Sequence, residues 1–182
     1  MLSPSPISIC ACASLRRANR AVNHLYDLVL APTRLRTSQF LILCAIAESE
    51  EIAHCELARR FFAAEATLSR RLASARKAGW VEMNVDAQRR RVYRLTEAGQ
   101  ALLRSAVPNW ERAQERLRSQ LDEKDWDALV ALTERVTWAA AAAENAPFRN
   151  SRPVLTQDHA AWSLDIQGIQ PGCFPISQSA AD

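Results

Sequence analysis

The sequence predicts a mainly α-helical protein carrying a single small, two-stranded β element. Three observations predict it. Only four glycines occur in 182 residues, in a chain rich in Ala, Leu and Arg, which favours helices over turn-rich sheets. Apolar residues recur at helical spacing through most of the first 145 positions. Strand-like patterning is confined to Val81, Met83 and Val85, which alternate, and to residues 92–95.

The elements follow in order. Residues 1–9, with Pro4 and Pro6 among serines, read as a loose N-terminal arm. From 10 to about 30, Leu15, Ala18, Val22, Leu25 and Val29 keep helical spacing until Pro32 ends the run. Thr37 or Ser38 can cap a second helix through Phe40, Leu41, Leu43, Cys44 and Ile46, whose dense apolar content marks it as central. A short helix is expected at 54–61, a turn around Phe62 and Ala63, and another helix at 65–78. In that helix Leu68, Leu72 and Ala75 form an inward stripe, while Ser69, Arg70, Ala73, Arg76 and Lys77 lie elsewhere on the surface.

Gly79 suits the left-handed residue that ends this helix. The turn at 86–91 lacks glycine, which argues against a two-residue hairpin and for a longer loop. Thr96 is placed to cap a long helix through Leu102, Leu103, Val107, Trp110, Ala113 and Leu117, in which Pro108 predicts a kink or break. Asp122 is placed to cap a last helix through Leu129, Leu132, Val136 and Ala140, with Leu121 and Trp126 as a hydrophobic staple. Trp110, Trp126 and Trp138 read as core or interface anchors. Residues 145–182, with Pro147, Pro153, Pro171 and Pro175, read as a flexible tail without a fold of its own.

This order defines a winged helix-turn-helix at 37–96 with a two-stranded β wing. The N- and C-terminal helices, at 10–36 and 97–144, form a second region. They carry more apolar surface than the small middle unit can cover, so a homodimer paired across a twofold axis is expected.

The net charge of +3 is mild, but its distribution is not. Between His54 and Thr96 stand ten basic and four acidic residues, a net of +6, leaving about −3 for the remainder. Arg89, Arg90 and Arg91 occupy the turn between the two strands, directly after a helix bearing Arg70, Arg71, Arg76 and Lys77. A basic helix followed by a basic hairpin suits double-stranded DNA, the helix fitting the major groove and the turn reaching the backbone beside it. Two plainer readings stand beside this one. The basic face could instead meet an acidic protein partner, and Arg76 and Lys77 could simply complement the helix dipole.

No apolar run approaches the roughly 18 residues that span a bilayer, and no signal-peptide pattern opens the chain. A cytoplasmic protein with no membrane association is therefore expected. The five cysteines are odd in number and form no CxxC pair, as fits reduced thiols. Cys44, among apolar residues, reads as an inert core thiol. His54 and Cys55 could be joined with His24 only without ligand spacing, so neither metal nor cofactor is expected. Three scattered histidines and no Gly-flanked nucleophile give no catalytic arrangement, and the chain is not expected to be an enzyme.

Four segments now stand in a telling order. They are Glu56-Leu57-Ala58-Arg59-Arg60, Ala66-Thr67-Leu68-Ser69-Arg70, Lys77-Ala78-Gly79-Trp80-Val81-Glu82 leading into the wing, and Arg94-Leu95-Thr96-Glu97-Ala98-Gly99 leaving it. Over roughly residues 10–142 the chain resembles the MarR (multiple antibiotic resistance) family of bacterial winged-helix regulators. The resemblance implies a homodimer with interleaved terminal helices on pseudo-palindromic promoter DNA, acting as a repressor released by a small molecule or by oxidation. Half-sites would lie roughly 10 bp apart. It implies that Thr67, Ser69 and Arg70 meet bases or phosphates, with Arg71 beside them on the basic helix. It also implies that Arg89 enters the minor groove. The family's wing alternates Asp and Arg closely, whereas this one reads Asp86-Ala87-Gln88-Arg89-Arg90-Arg91, so Arg90 and Arg91 remain alternatives. Ala64 stands where a capping Ser or Asp is common, which predicts a weaker helix start.

Cys10 and Cys12 are the redox-sensing candidates. They sit at or just before a helix start, where unpaired peptide N–H groups favour a thiolate, with Arg16 and Arg17 one turn on. The resemblance extends to the family's hydroperoxide-sensing branch, whose peroxidatic cysteine falls at Cys12 and whose cysteine-holding tyrosine falls at Tyr26. A second such tyrosine is replaced by Thr37. Cys10 and Cys12 are too close for an easy disulfide within one helix, so a bridge would run between subunits or to Cys173. The alternatives are that both are small packing residues, and that release comes from a small aromatic or lipophilic ligand. His24 would then line the ligand pocket or, equally, sit at the dimer interface.

Overall fold

The computed structural model describes residues 10–49 and 51–143; the expected arm at 1–9 and tail at 145–182 lie outside the described residues. The elements are α1 (Ala11–Leu30), a 3-10 turn (Ala31–Thr33), α2 (Thr37–Ala47), β1 (Ile52–Ala53), α3 (His54–Arg60), α4 (Glu65–Lys77), β2 (Val81–Val85), β3 (Arg91–Leu95), α5 (Glu97–Arg118) and α6 (Glu123–Ala143). They divide into two compact units, residues 10–41 with 105–137 and residues 42–104 with 138–143, the dividing points falling inside α2, α5 and α6. Among the described residues no helix is long and apolar enough to cross a membrane.

In the first unit α1 ends at Leu30, just ahead of Pro32 in the 3-10 turn, and Arg34 closes that turn in the left-handed region at φ +60°. The start of α2 differs from expectation. Thr37 does not cap the helix but begins it, and the Asp27 carboxylate on α1 accepts both its N–H and its hydroxyl at 2.7 Å. Burial alone would raise the Asp27 carboxyl. The two bonds from Thr37, with Arg36 at 3.1 Å, hold it below the usual carboxylate range. One orphan N–H of α2, that of Thr37, is thus met by a side chain of α1.

Pro108 does not break α5, which continues to Arg118. The ring is exposed while Val107 and Trp110 beside it are buried, Trp110 stacking on Phe40 with centroids 6.0 Å apart. Each such burial contributes ~1.5–3 kcal/mol, enough together to offset the ~3 kcal/mol that an interior proline costs. Asp122 caps α6 as expected, accepting the Asp125 N–H at 2.6 Å.

The second unit holds the helix-turn-helix. Between α3 and α4 the chain turns through Phe62 at φ +44°, with Phe62 N–H bonded to the Arg59 carbonyl and Ala63 N–H to that of Ala58. Glycine ordinarily takes this position of a Schellman motif. Helix α4 ends in the same motif with its expected residue, Gly79 at φ +76°. Its start has no side-chain cap at Ala64, as expected.

The sheet has three strands rather than two. In the antiparallel order β1-β3-β2, Ile52 faces Tyr93 and Ala53 faces Val92 on one side of β3, while Val81 to Val85 face Leu95 to Arg91 on the other. A two-residue strand is too short to carry an alternation, so β1 left no trace in the pattern. Its pairing makes β3 central, and Val92 and Tyr93 are both buried. Thr96 caps α5 as expected: its Oγ accepts the Gly99 N–H at 3.1 Å and donates to the Gly79 carbonyl at 2.6 Å.

Candidate nucleic-acid interface

The wing tip is a three-residue hairpin. Arg89 N–H bonds the Asp86 carbonyl at 2.9 Å and Asp86 N–H bonds the Arg90 carbonyl at 3.0 Å, with Arg89 in the left-handed region at φ +60°. A type I turn followed by a left-handed residue is the usual three-residue solution, and glycine usually fills its last position. An arginine there costs ~1 kcal/mol. The Asp86 carboxylate compensates by accepting three hydrogen bonds, from Gln88 N–H (2.9 Å), Arg90 N–H (2.8 Å) and Arg90 Nε (2.7 Å). These bonds, the Arg90 N–H foremost, hold its carboxyl below the usual range. All three arginines are exposed, but Arg90 is thereby bound to its own loop.

On α4 the inward stripe is buried as expected (Leu68, Leu72, Ala75), and Arg70, Arg71, Arg76 and Lys77 are exposed. Thr67 is half-buried. Ser69 departs from the expected free surface position: it is half-buried, with its hydroxyl 3.4 Å from the Nε2 of His54. The carbonyls at the end of α4 are met by the Gly79 and Trp80 N–H groups rather than by Arg76 or Lys77.

Ion pairing sorts the ten cations of this segment. Arg59 pairs with Glu56, Arg60 with Glu48 (3.2 Å) and Glu56 (3.7 Å), Arg90 with Asp86 (2.7 Å) and Arg94 with Glu51 (3.5 Å). Arg70, Arg71, Arg76, Lys77, Arg89 and Arg91 have no acidic partner among the described residues. All six are exposed and all lie on α4 or the wing. Such a set concentrates positive potential on that face.

The redox candidates lie in the first unit. Cys10 is the N-cap residue of α1 and Cys12 lies in its first turn, both exposed. Tyr26 is buried, its hydroxyl donates to Gln114, and burial pushes its pKa up to about 12. Fourteen residues along one helix amount to ~21 Å, so within one chain Tyr26 does not reach Cys12. Cys44 is buried, and burial, with Glu48 next, pushes its thiol up to about 12, as befits an inert core thiol. A cleft of about 390 Å³ is lined by His24, Asp27, Leu28, Ala31 and Leu35.

His54 is the residue the sequence reading missed, having weighed it only as a metal ligand. It is buried, and burial first, Arg91 second, hold its imidazole below the ordinary 6.5, with Glu65 opposing. The sign of the resulting linkage is definite. Below 6.5 the unfolded chain binds a proton that the folded chain does not, so stability is full above that value and falls as pH drops towards the folded pKa. The parent protein is expected to lose melting temperature between about pH 7 and 5, and a His54→Phe variant to lose less. Equal losses would remove His54 from the account.

These features define a winged helix whose α4 and wing, among the described residues, share a cationic face. No protein-family model matches the chain, and comparison with curated proteins gives no match. Solved structures do. The transcriptional regulator MosR of M. tuberculosis is 32% identical, with a TM-score of 0.66 over 74% of this chain and 97% of MosR. A mutant of E. coli MarR complexed with operator DNA is 22% identical, with a TM-score of 0.67 over 74% and 99% of the two chains. PcaV of Streptomyces coelicolor, in complex with its natural ligand, is 18% identical, with a TM-score of 0.69 over 76% and 99%. The last two show likeness of fold. The chain belongs to the MarR family of winged-helix transcriptional regulators.

Proposed function

We propose that this protein is a cytoplasmic transcriptional regulator that binds pseudo-palindromic promoter DNA as a homodimer and represses from it. The observation that carries the reading is the sorting of cations: the six without an acidic partner among the described residues all lie on α4 or the wing, where only Arg90 and Arg94 are paired. Arg70 and Arg71, with Thr67 and Ser69, would meet the major groove. Arg89 and Arg91 would meet the flanking minor groove, and Arg90 would stay with Asp86. Support also comes from the MarR relative solved with operator DNA. The dimer is supported by Leu129, Leu132 and Val136, exposed at helical spacing on α6, and by exposed Leu15 and Leu28 on α1.

The switch we favour is oxidation at the exposed Cys12, with Cys10 beside it: the thiolate takes the terminal oxygen of a hydroperoxide, giving a sulfenate and an alcohol. Tyr26, ~21 Å away along its own helix, would serve only the cysteine of the other subunit. The second reading, release by a small aromatic ligand, rests on the His24 cleft.

Gel shifts over a salt series test the whole reading, using a duplex that the parent protein selects from a randomised pool. Binding is expected to weaken steeply with salt, and hydroperoxide to release the parent but not Cys12→Ser. A Cys12→Ser variant that is still released overturns the thiol switch; a parent indifferent to every duplex at low salt overturns DNA binding.

A further inference from the structure

His54 opens α3 yet is buried, and its ring joins the two parts of the reading face. Nε2 lies 3.4 Å from the Ser69 hydroxyl on α4, and Nδ1 lies 3.3 Å from the Tyr93 hydroxyl on β3. The His54 and Tyr93 rings are tilted by 45° with centroids 5.8 Å apart.

A neutral imidazole has one N–H and one accepting nitrogen. A proton on Nδ1 would be given to the Tyr93 oxygen, leaving the Tyr93 hydroxyl proton without an acceptor among the described residues. Tyr93 is only 3% exposed, and an unmet buried donor is disfavoured. With the proton on Nε2, Tyr93 donates to Nδ1 and the ring donates to Ser69. The Ser69 oxygen then accepts from inside the protein, and its own proton has no acceptor among the described residues.

We propose that His54 is a positioning residue for DNA reading, which fixes the Ser69 hydroxyl as a hydrogen-bond donor and couples that placement to the wing strand through Tyr93. The inference rests on the DNA-binding reading above and adds the chemistry of one contact. Ser69 offers a donor, so its partner is an acceptor: a phosphate oxygen, or a base-edge atom such as guanine N7 or O6 or thymine O4.

The test compares the duplex selected by the parent protein with a random duplex of equal length. His54→Phe and Ser69→Ala are each expected to weaken binding to the selected duplex about tenfold. The double variant is expected to be no weaker than the singles, because both changes remove the same donor. Independent roles would multiply to about a hundredfold and overturn the inference, as would parent-like affinity in His54→Phe. A loss confined to the selected duplex assigns a base edge; equal loss on both duplexes assigns a phosphate. His54→Gln, which keeps an N–H, is expected to recover most of the affinity and serves if the Phe variant does not fold. Nitrogen NMR of the parent ring is expected to show the proton on Nε2, and a proton on Nδ1 overturns the proposal. A pool in which no sequence is enriched overturns the DNA reading itself, and this inference with it.

Discussion

Replacing Arg89, Arg90 and Arg91 together by alanine is expected to weaken DNA binding by about 100-fold or more at ~0.1 M salt while leaving subunit association intact. The three contributions are unequal. Arg89 and Arg91 are exposed without an acidic partner among the described residues, whereas Arg90 donates to Asp86 at 2.7 Å through Nε. Single alanine variants at 89 and 91 are therefore expected to account for most of the loss, and Arg90→Ala to act chiefly by loosening the hairpin. The slope of log affinity against log salt reports the number of phosphates neutralised, at about 0.9 per phosphate, so removing both contacts would make it shallower by ~2 per subunit. Titrations in which the triple variant keeps the parent's affinity and slope would take the wing out of the interface.

The second large effect is on stability. Gly99 lies three residues into α5 beyond its cap, and a Cβ there would stand 2.0 Å from the Trp80 carbonyl oxygen and 2.9 Å from its carbon. Both atoms are backbone, and Thr96 N–H bonds the same carbonyl at 3.0 Å. No rotamer can relieve the clash. Gly99→Ala is expected to cost about 3 kcal/mol, at the upper end for overpacking because backbone must move. For a domain of this size that is a fall of roughly 10 °C in melting temperature. A variant melting within a degree or two of the parent would show that the strand-to-helix junction yields cheaply. Because the helix cap at Thr96 and the end of α4 at Gly79 share this junction, DNA affinity is expected to fall along with stability.

The long helices were legible because apolar spacing persists over many turns and because their boundaries carry local chemistry: Gly79, Thr96 and Asp122 behave as their types predict. What was not legible depends on partners distant in sequence. The Asp27 cap of α2 reaches across ten residues and two elements, so nothing near Thr37 announces it. The strand at Ile52 and Ala53 exists only through its pairing with β3. His54 meets residues 15 and 39 positions away; the sole local clue was a polar residue at the mouth of an otherwise apolar helix face. Pro108 did not break α5, because buried neighbours on both sides hold the helix through it. For the reading face, the sequence located the cationic segment but could not tell which cations were already engaged, since Glu48 and Glu51 lie outside it.

The left-handed backbone at Arg89 sets two demands against each other at one codon. A library randomised there and screened only for heat resistance would enrich glycine and asparagine, which relax the turn. If Arg89 contacts DNA as proposed, the same library screened for promoter occupancy is expected to return arginine. Divergence between the two winners would measure directly what folding gives up at this position for the sake of the gene it controls.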